Sequence, residues 1–495
     1  MENQELRKKN LLMFPLGTVG RDMMYTLVTS YLLTFILFTR NLTAAQLGAV
    51  TAVMVASRVF DALNDPIMGN IIERTRTKWG KFKPWLVIGI LLSSVVVYTV
   101  FNSDLQGWSF IWLFGGFYFC YSIAYTMHDI SYWGMIPALS SDPDARNQFT
   151  SRATLFAGVG GTLASMVIPM LTTGSHALGG STNVAYGRIA LLICVLAPLF
   201  LAFAVFGATE RREAVTEAAP PISLKKVVKT ITGNDQLMWI ALIFLIQQIG
   251  NGLVIGGLGS TYIYFDFGYS GGLYSIFNTV GMMVTALLMI FYPAISRHIH
   301  RKKLMGLLAV VSSVGYIVMI LPGLVMSSSM GKFWVITVGY MLANFGQYGY
   351  YLIMMISIIN TVEYNELTTG SRDEAIIASL RPFLTKMASA LTVAITSLSY
   401  IVFGVTNYTN EISALESSTA AGAITEVEKL SAIGDVLSGV GHGQTLGLLL
   451  CMTVLPWALM LASYFLYRRH YRLDEEEYDR ICAQLAARGD GHVSV

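Results

Sequence analysis

Arg58-Val-Phe-Asp61-Ala-Leu-Asn64-Asp65-Pro66-Ile-Met-Gly69 lies inside a long apolar segment and runs straight into Glu73-Arg-Thr-Arg-Thr-Lys78-Trp79-Gly-Lys81-Phe-Lys83-Pro-Trp85. On a helix, Asp61 and Asp65 stand four residues apart and project from one face, with Asn64 beside them and Arg58 three residues before Asp61. Carboxylates at membrane depth are costly, so such a cluster is expected to face a bundle interior or a watery cavity and to serve an ion or substrate pathway. The stretch reads as a cation site. The competing reading is structural, with Arg58 neutralising one of the acids.

Outward from this stretch, the whole chain is apolar. Of 495 residues, 54% are hydrophobic and only 13% charged, and the mean hydropathy is +0.57. These values exclude an ordinary soluble protein and predict an all-α, polytopic membrane protein. Apolar runs near 20 residues predict twelve spans, at 11–38, 44–72, 84–101, 108–138, 150–173, 186–208, 236–265, 271–296, 304–326, 333–361, 376–405 and 441–467.

Lysine and arginine alternate with the spans. Arg7, Lys8 and Lys9 precede the first; Arg74, Arg76, Lys78, Lys81 and Lys83 follow the second; Arg211, Arg212, Lys225, Lys226 and Lys229 follow the sixth. Arg297, Arg301, Lys302 and Lys303 follow the eighth, and Arg468, Arg469 and Arg472 the twelfth. The other side carries little beyond Arg40, Arg188, Lys332 and Lys429. The positive-inside rule therefore predicts a cell-membrane protein with both termini cytoplasmic. A net charge of +3 is explained by this topology and gives no reason to expect nucleic acid as a partner. The first apolar run is too long for a signal-peptide core. Cys120, Cys194, Cys451 and Cys482 have neither metal-ligand spacing nor a disulfide framework.

A second polar constellation lies in the fourth span, Tyr125-Thr126-Met-His128-Asp129-Ile-Ser131-Tyr132-Trp133. Tyr125, Asp129 and Trp133 share a helical face, and Thr126 lies one turn before Asp129. A carboxylate accepts hydroxyl hydrogen bonds while aromatic faces pack on C–H patches, so this face suits a sugar. His128 points elsewhere and is read as packing. The first span adds Arg21-Asp22, a dipeptide able to form an ion pair, and Arg152 opens the fifth within possible reach of Asp129.

Residues 209–235, with Pro220-Pro221, form a linker between a bundle at 1–208 and a second at 236–467; a tail occupies 468–495. The second half is poor in embedded charge. Gln247, Gln248, Asn251 and several glycines predict a bent or broken seventh span. Asn344, Gln347 and Tyr351 either bind a polyhydroxylated ligand or bridge helices. Arg381 and Lys386 are the strongly basic groups embedded there, and residues 406–440 form a polar, acidic insertion.

Two six-helix halves with basic connections after spans two and eight indicate a major facilitator fold. Asp61-Ala-Leu-Asn64-Asp65-Pro66-Ile-Met-Gly69, the Trp79-to-Trp85 block and Asp129-Ile-Ser-Tyr-Trp133 resemble the glycoside-pentoside-hexuronide:cation symporter family. The resemblance implies that Asp61, Asn64, Asp65 and Thr126 hold the coupling cation, and that Asp22, Asp129, Trp133 and Arg152 bind sugar. Arg21 and Tyr125 are placed beside them, and Lys386 and Arg58 are assigned to coupling. Arg21 stands where the family's melibiose carrier has lysine, and Ser131 where it has proline. The implied activity is sugar or glycoside uptake coupled to Na+, H+ or Li+. No catalytic residue and no cofactor beyond that ion are expected, and oligomeric state is left open. Four carboxylates set against Arg58, Arg152 and Lys386 leave one negative charge, which one cation would neutralise. An exchanger, an exporter and an enzyme acting on lipid-linked sugars stand as alternatives.

Overall fold

The computed structural model describes residues 4–140, 142–210, 224–296 and 298–487. Within them the chain is built from helices, the first six in the order α1 (Gln4–Thr26, a π-helical turn Leu27–Tyr31, then Leu32–Thr39), α2 (Ala44–Arg74), α3 (Lys83–Phe101), α4 (Gly107–Leu139), α5 (Pro143–Thr172) and α6 (Thr182–Ala202). The second series is α7 (Asp235–Leu253 continuing to Gly259–Phe267), α8 (Gly271–Ser296), α9 (Arg301–Val325), α10 (Met330–Ile359), α11 (Glu374–Val402) and α12 (His442–His470). Eleven helices among the described residues are long and apolar enough to cross a membrane. The expected tenth span forms α10, a helix of 30 residues. It falls outside the eleven because Asn344, Gln347 and four tyrosines dilute its apolar character. The chain is thus a multi-pass membrane protein, with eleven of the twelve expected spans apolar enough by this measure.

Local chemistry sets the helix starts. Thr43 caps α2 in a reciprocal box with Gln46, Asp142 caps α5 ahead of Pro143, and Ser181 caps α6. The predicted bend in the seventh span is present. Gly257 adopts φ 123° between the two parts of α7, a conformation that favours glycine. The interrupted region lies where Gln247, Gln248 and the glycines suggested it.

Two compact units emerge. The first contains Met1–Pro221, Ser260–Thr279 and Thr396–Thr445; the second contains Ile222–Gly259, Val280–Ile395 and Leu446–Val495. In the first unit α1 lies against α5 and α6. Glycines permit this: a Cβ on Gly20 would stand 2.5 Å from the Ala197 backbone, and one on Gly160 would stand 2.3 Å from the Val19 carbonyl. The close approach on both sides fixes the turn of α1 that carries Arg21 and Asp22.

The insertion expected at 406–440 is a pair of helices, Val405–Ala420 and Glu426–Ser438, at the end of the first unit away from the N-terminus. Glu416 and Lys429 are fully buried there, 3.3 Å apart. Glu416 accepts hydrogen bonds from the Thr182 amide and hydroxyl, and Lys429 donates to the Gly180 carbonyl. Asn410 exchanges two hydrogen bonds with the Leu42 backbone. Burial pushes the Glu416 carboxyl above its ordinary range, against the pull of Lys429.

The second unit packs around Phe244, Met305, Tyr350, Met354 and Tyr467. Its hydrogen bonds settle the two readings of the α10 amides toward helix bridging. Gln247 donates to the Gln347 backbone and side chain, Gln347 donates to Tyr316, and Asn344 donates to the Gly281 carbonyl. A tail helix, Glu475–Ala487, is tied to the start of α9 through Arg301–Glu475 at 2.9 Å and Lys302–Asp474 at 2.8 Å. Residues 211–223 of the expected linker, with Arg211, Arg212 and Pro220-Pro221, lie outside the described residues, as do Arg297 and the end of the tail.

Candidate functional site

Asp61 and Asp65 meet α4 in register. Ser122 donates to Asp61, and one turn on Thr126 donates to Asp65 at 3.3 Å. Each helix advances by four residues between these bonds, so two hydroxyls from α4 lie along two carboxylates of α2 as parallel rails. Asp61 is buried, and Asn64 Nδ2 is a buried donor with no hydrogen-bond partner. Arg58, also buried, hydrogen-bonds Tyr118 and stands close to Asp61, Tyr25 and Tyr121. The oxygen set comprises two carboxylates, two hydroxyls and one amide, all hard donors suited to a small cation. Among the described residues no group of three or more His, Cys, Asp or Glu side chains is arranged to hold a metal ion.

A second cluster is built on α1 and α4. Arg21 is buried, with Nη2 at 2.8 Å from Asp22, Nε at 2.9 Å from the same carboxylate and Nη1 at 2.8 Å from Asp129. The Trp133 indole donates to Asp129 at 3.2 Å. The guanidinium carbon of Arg21 lies 5.3 Å from the Tyr132 ring centre and 5.5 Å from that of Trp133. Every nitrogen of the guanidinium is engaged, and the planar fork can serve two acids at once.

An aromatic ladder joins the clusters. Tyr118, Tyr121 and Tyr125 stack along α4 with ring centres 6.3 Å and 5.7 Å apart. Tyr25 of α1 stacks on Tyr125 at 5.2 Å. One end of the ladder stands beside Arg58 and the other beside Arg21.

Asp22, Asp129, Trp133, Arg21 and Tyr125 are therefore neighbours, as are Asp61, Asn64, Asp65, Arg58 and Thr126. Arg152 does not join Asp129. It is exposed on α5, and its Nη1 donates to the Leu11 carbonyl at 3.3 Å, because Arg21 already occupies Asp129. Lys386 belongs to α11 in the second unit, where it is half-buried. Within the first unit the guanidiniums of Arg21 and Arg58 stand beside these carboxylates, Arg21 between Asp22 and Asp129 and Arg58 close to Asp61. His128 is buried packing, its Nδ1 3.0 Å from the Leu86 carbonyl. Sequence reasoning missed Ser122, Tyr118, Tyr121 and Tyr25. The available signal was Ser122 four residues before Thr126, matching the spacing of the two acids.

Comparison with known proteins identifies the family and the fold. The profile of the family described as MFS/sugar transport protein matches residues 13–475. The lactose permease of Leuconostoc lactis is 29% identical over 418 residues, covering 80% of this chain and 63% of its own length. The raffinose carrier protein of Pediococcus pentosaceus is 26% identical over 493 residues, covering 96% and 71%. The isoprimeverose transporter of Lactiplantibacillus pentosus is 25% identical over 391 residues, covering 78% of each. This chain therefore spans less than two thirds of the Leuconostoc permease. Among solved structures, the D-xylose-proton symporter superposes with a TM-score of 0.60 at 12% identity, covering 84% of this chain and 96% of that one. A bacterial homologue of the human lysosomal transporter Spinster, inward-facing and unoccupied, gives a TM-score of 0.63 at 13% identity, covering 95% and 100%. At these identities the structures speak for the fold alone.

Proposed function

Since the chain belongs to the MFS/sugar transport protein family, within the glycoside-pentoside-hexuronide:cation symporters of the major facilitator superfamily, we propose that it carries a sugar or glycoside into the cell together with a monovalent cation. What supports the coupling is the pair of rails, Ser122 on Asp61 and Thr126 on Asp65. Arg58 stands beside Asp61, the buried one of these two acids. A monovalent cation, Na+, H+ or Li+, is met there by two carboxylates and two hydroxyls. Asn64 supplies a further oxygen to a metal cation.

The sugar lies against the second cluster. Its hydroxyls donate to Asp22 and Asp129 and accept from Arg21, while its C–H faces rest on Tyr25, Tyr125 and Trp133. The two sites share α4 and its tyrosine ladder, so filling the first stiffens the wall of the second. Thermodynamic reciprocity then makes sugar tighten cation binding by the same factor. With both termini cytoplasmic, each cation moving inward gains about 2.3 kcal/mol per 100 mV, enough for roughly fifty-fold accumulation. Alternating access exposes these sites to the two sides in turn. The named relatives suggest lactose, raffinose and isoprimeverose as first substrates to try.

The test is uptake of labelled glycosides into proteoliposomes under an inward Na+, Li+ or proton gradient. Concentrative uptake with one ion, lost in Asp61→Cys and Asp65→Cys, is expected. Uptake that both variants retain at full level would remove the acids from coupling. Exchange of internal for external sugar without any ion gradient dependence would replace symport by antiport.

A further inference from the structure

At the end of the first unit away from the N-terminus, a cavity of about 320 Å³ is lined by residues of α1, α3 and α6, by the segments that follow α1 and α3, and by Ala420 of the insertion. Arg40, Asp104, Asn183 and Arg188 give it its chemistry, and Tyr98 and Leu191 form its rim. Arg40 is only 2% exposed. Two of its nitrogens bond the Thr39 and Ser103 carbonyls, and its Nε has no hydrogen-bond partner. Burial, offset only in part by Asp104, pulls the Arg40 guanidinium down to about 10. This cation is short of negative neighbours. Asn183 adds the complementary group, a buried Oδ1 acceptor that is likewise without a partner.

The cavity thus offers two guanidiniums against one carboxylate, an orphan donor and an orphan acceptor. A ligand that answers all of these carries an anionic oxygen cluster and a hydroxyl. The rim says where it comes from. Tyr98 and Leu191 are 44% and 49% exposed, and Val95 and Val195, one turn along the same helices, are 60% and 50% exposed. These helices belong to membrane-crossing segments, so that apolar surface faces acyl chains.

We propose that this cavity binds the phosphoglycerol headgroup of an anionic phospholipid, with the phosphate between Arg40 and Arg188, a glycerol hydroxyl donating to Asn183, and an acyl chain along Tyr98 and Leu191. The site lies apart from the Asp61 and Arg21 clusters and does not depend on the transport reading.

The experiment follows thermal stability of the full-length purified chain in detergent during titration with phosphatidylglycerol, phosphatidylethanolamine or soluble glycerol phosphate. Phosphatidylglycerol is expected to raise the unfolding temperature saturably, with phosphatidylethanolamine needing at least tenfold more lipid for the same shift. Arg188→Gln should raise the half-saturating phosphatidylglycerol concentration about tenfold, and Asp104→Asn should lower it. Arg40 also holds two carbonyls, so Arg40→Gln can fail to fold; exposed Arg188 keeps the test decisive. Equal response to both lipids, or no change in Arg188→Gln, would overturn the proposal. Full stabilisation by soluble glycerol phosphate at matched concentration would replace the lipid by a free phosphate.

Discussion

Arg21 and Asp129 are 108 residues apart in sequence, yet Nη1 of one and Oδ1 of the other are separated by 2.8 Å. The same guanidinium holds Asp22 through its remaining nitrogens. Lysine offers a point charge in place of the fork. Arg21→Lys should weaken sugar binding about tenfold, and Arg21→Gln about thirtyfold. Breaking such a pair costs about 3 kcal/mol or more when fully buried; partial exposure of Asp129 lowers this to on the order of 2 kcal/mol. Calorimetric titration with the transported sugar measures the effect, and unchanged affinity in Arg21→Gln would separate this clamp from sugar recognition.

Ser122 donates to a buried carboxylate, a bond worth about 1.5–3 kcal/mol. Ser122→Ala also takes one oxygen from a metal cation and should raise the Na+ or Li+ concentration for half-maximal uptake roughly tenfold, while maximal uptake at saturating cation stays near normal. Thr126→Val, which loses a longer bond, should produce a smaller rise. A shift in maximal rate alone would mean that the hydroxyl acts on a conformational step.

Gly160 and Gly158 provide a controlled pair on α5. A Cβ on Gly160 would meet the Val19 carbonyl at 2.3 Å, whereas one on Gly158 meets nothing within 4 Å. Gly160→Ala should cost about 1–3 kcal/mol through overpacking and should also weaken sugar binding by displacing Arg21. Gly158→Ala should leave both unfolding temperature and binding unchanged. Similar behaviour of the two variants would show that α1 yields freely.

The tail helix should release in acid. Burial opposes ionisation of Glu475 and Asp474, but hydrogen bonds and charge from Arg301 and Lys302 prevail, and both carboxyls sit below their ordinary values. A carboxylate lowered on docking favours the docked form above its free value, about pH 4, and loses that contribution as pH falls through the lowered native value. Proteolysis after residue 470 should therefore accelerate below about pH 4 and stay slow from pH 5 to 8. Glu475→Gln should abolish most of this dependence.

Hydropathy made the helices legible, and spacing made the faces legible. Asp61 with Asp65, and Tyr125 with Asp129 and Trp133, share faces because four residues return a helix to the same side. Distance between helices was not legible. Arg152 was a candidate for Asp129 because nothing in spacing alone says that Arg21 takes that position first. Ser122 went unnoticed because a serine in an apolar helix has the look of packing until a carboxylate is found opposite it. Asn344 and Gln347 offered two readings, and only their partners distinguish a ligand from a neighbouring helix. The insertion carried no periodic signal for what it covers, since its partners are hundreds of residues earlier.

That separation has a consequence for how the protein is made. Leu42 waits for Asn410, 368 residues later, and Thr182 waits for Glu416, 234 residues later. At roughly 5–20 residues per second of synthesis, the first of these intervals lasts on the order of 20–70 s. The second lasts on the order of 12–47 s at the same rate, and for most of it the newly inserted α1 to α6 stand in the bilayer with the Thr182 amide and the Gly180 carbonyl lacking their final partners, so the first unit is closed only after much of the second has been made.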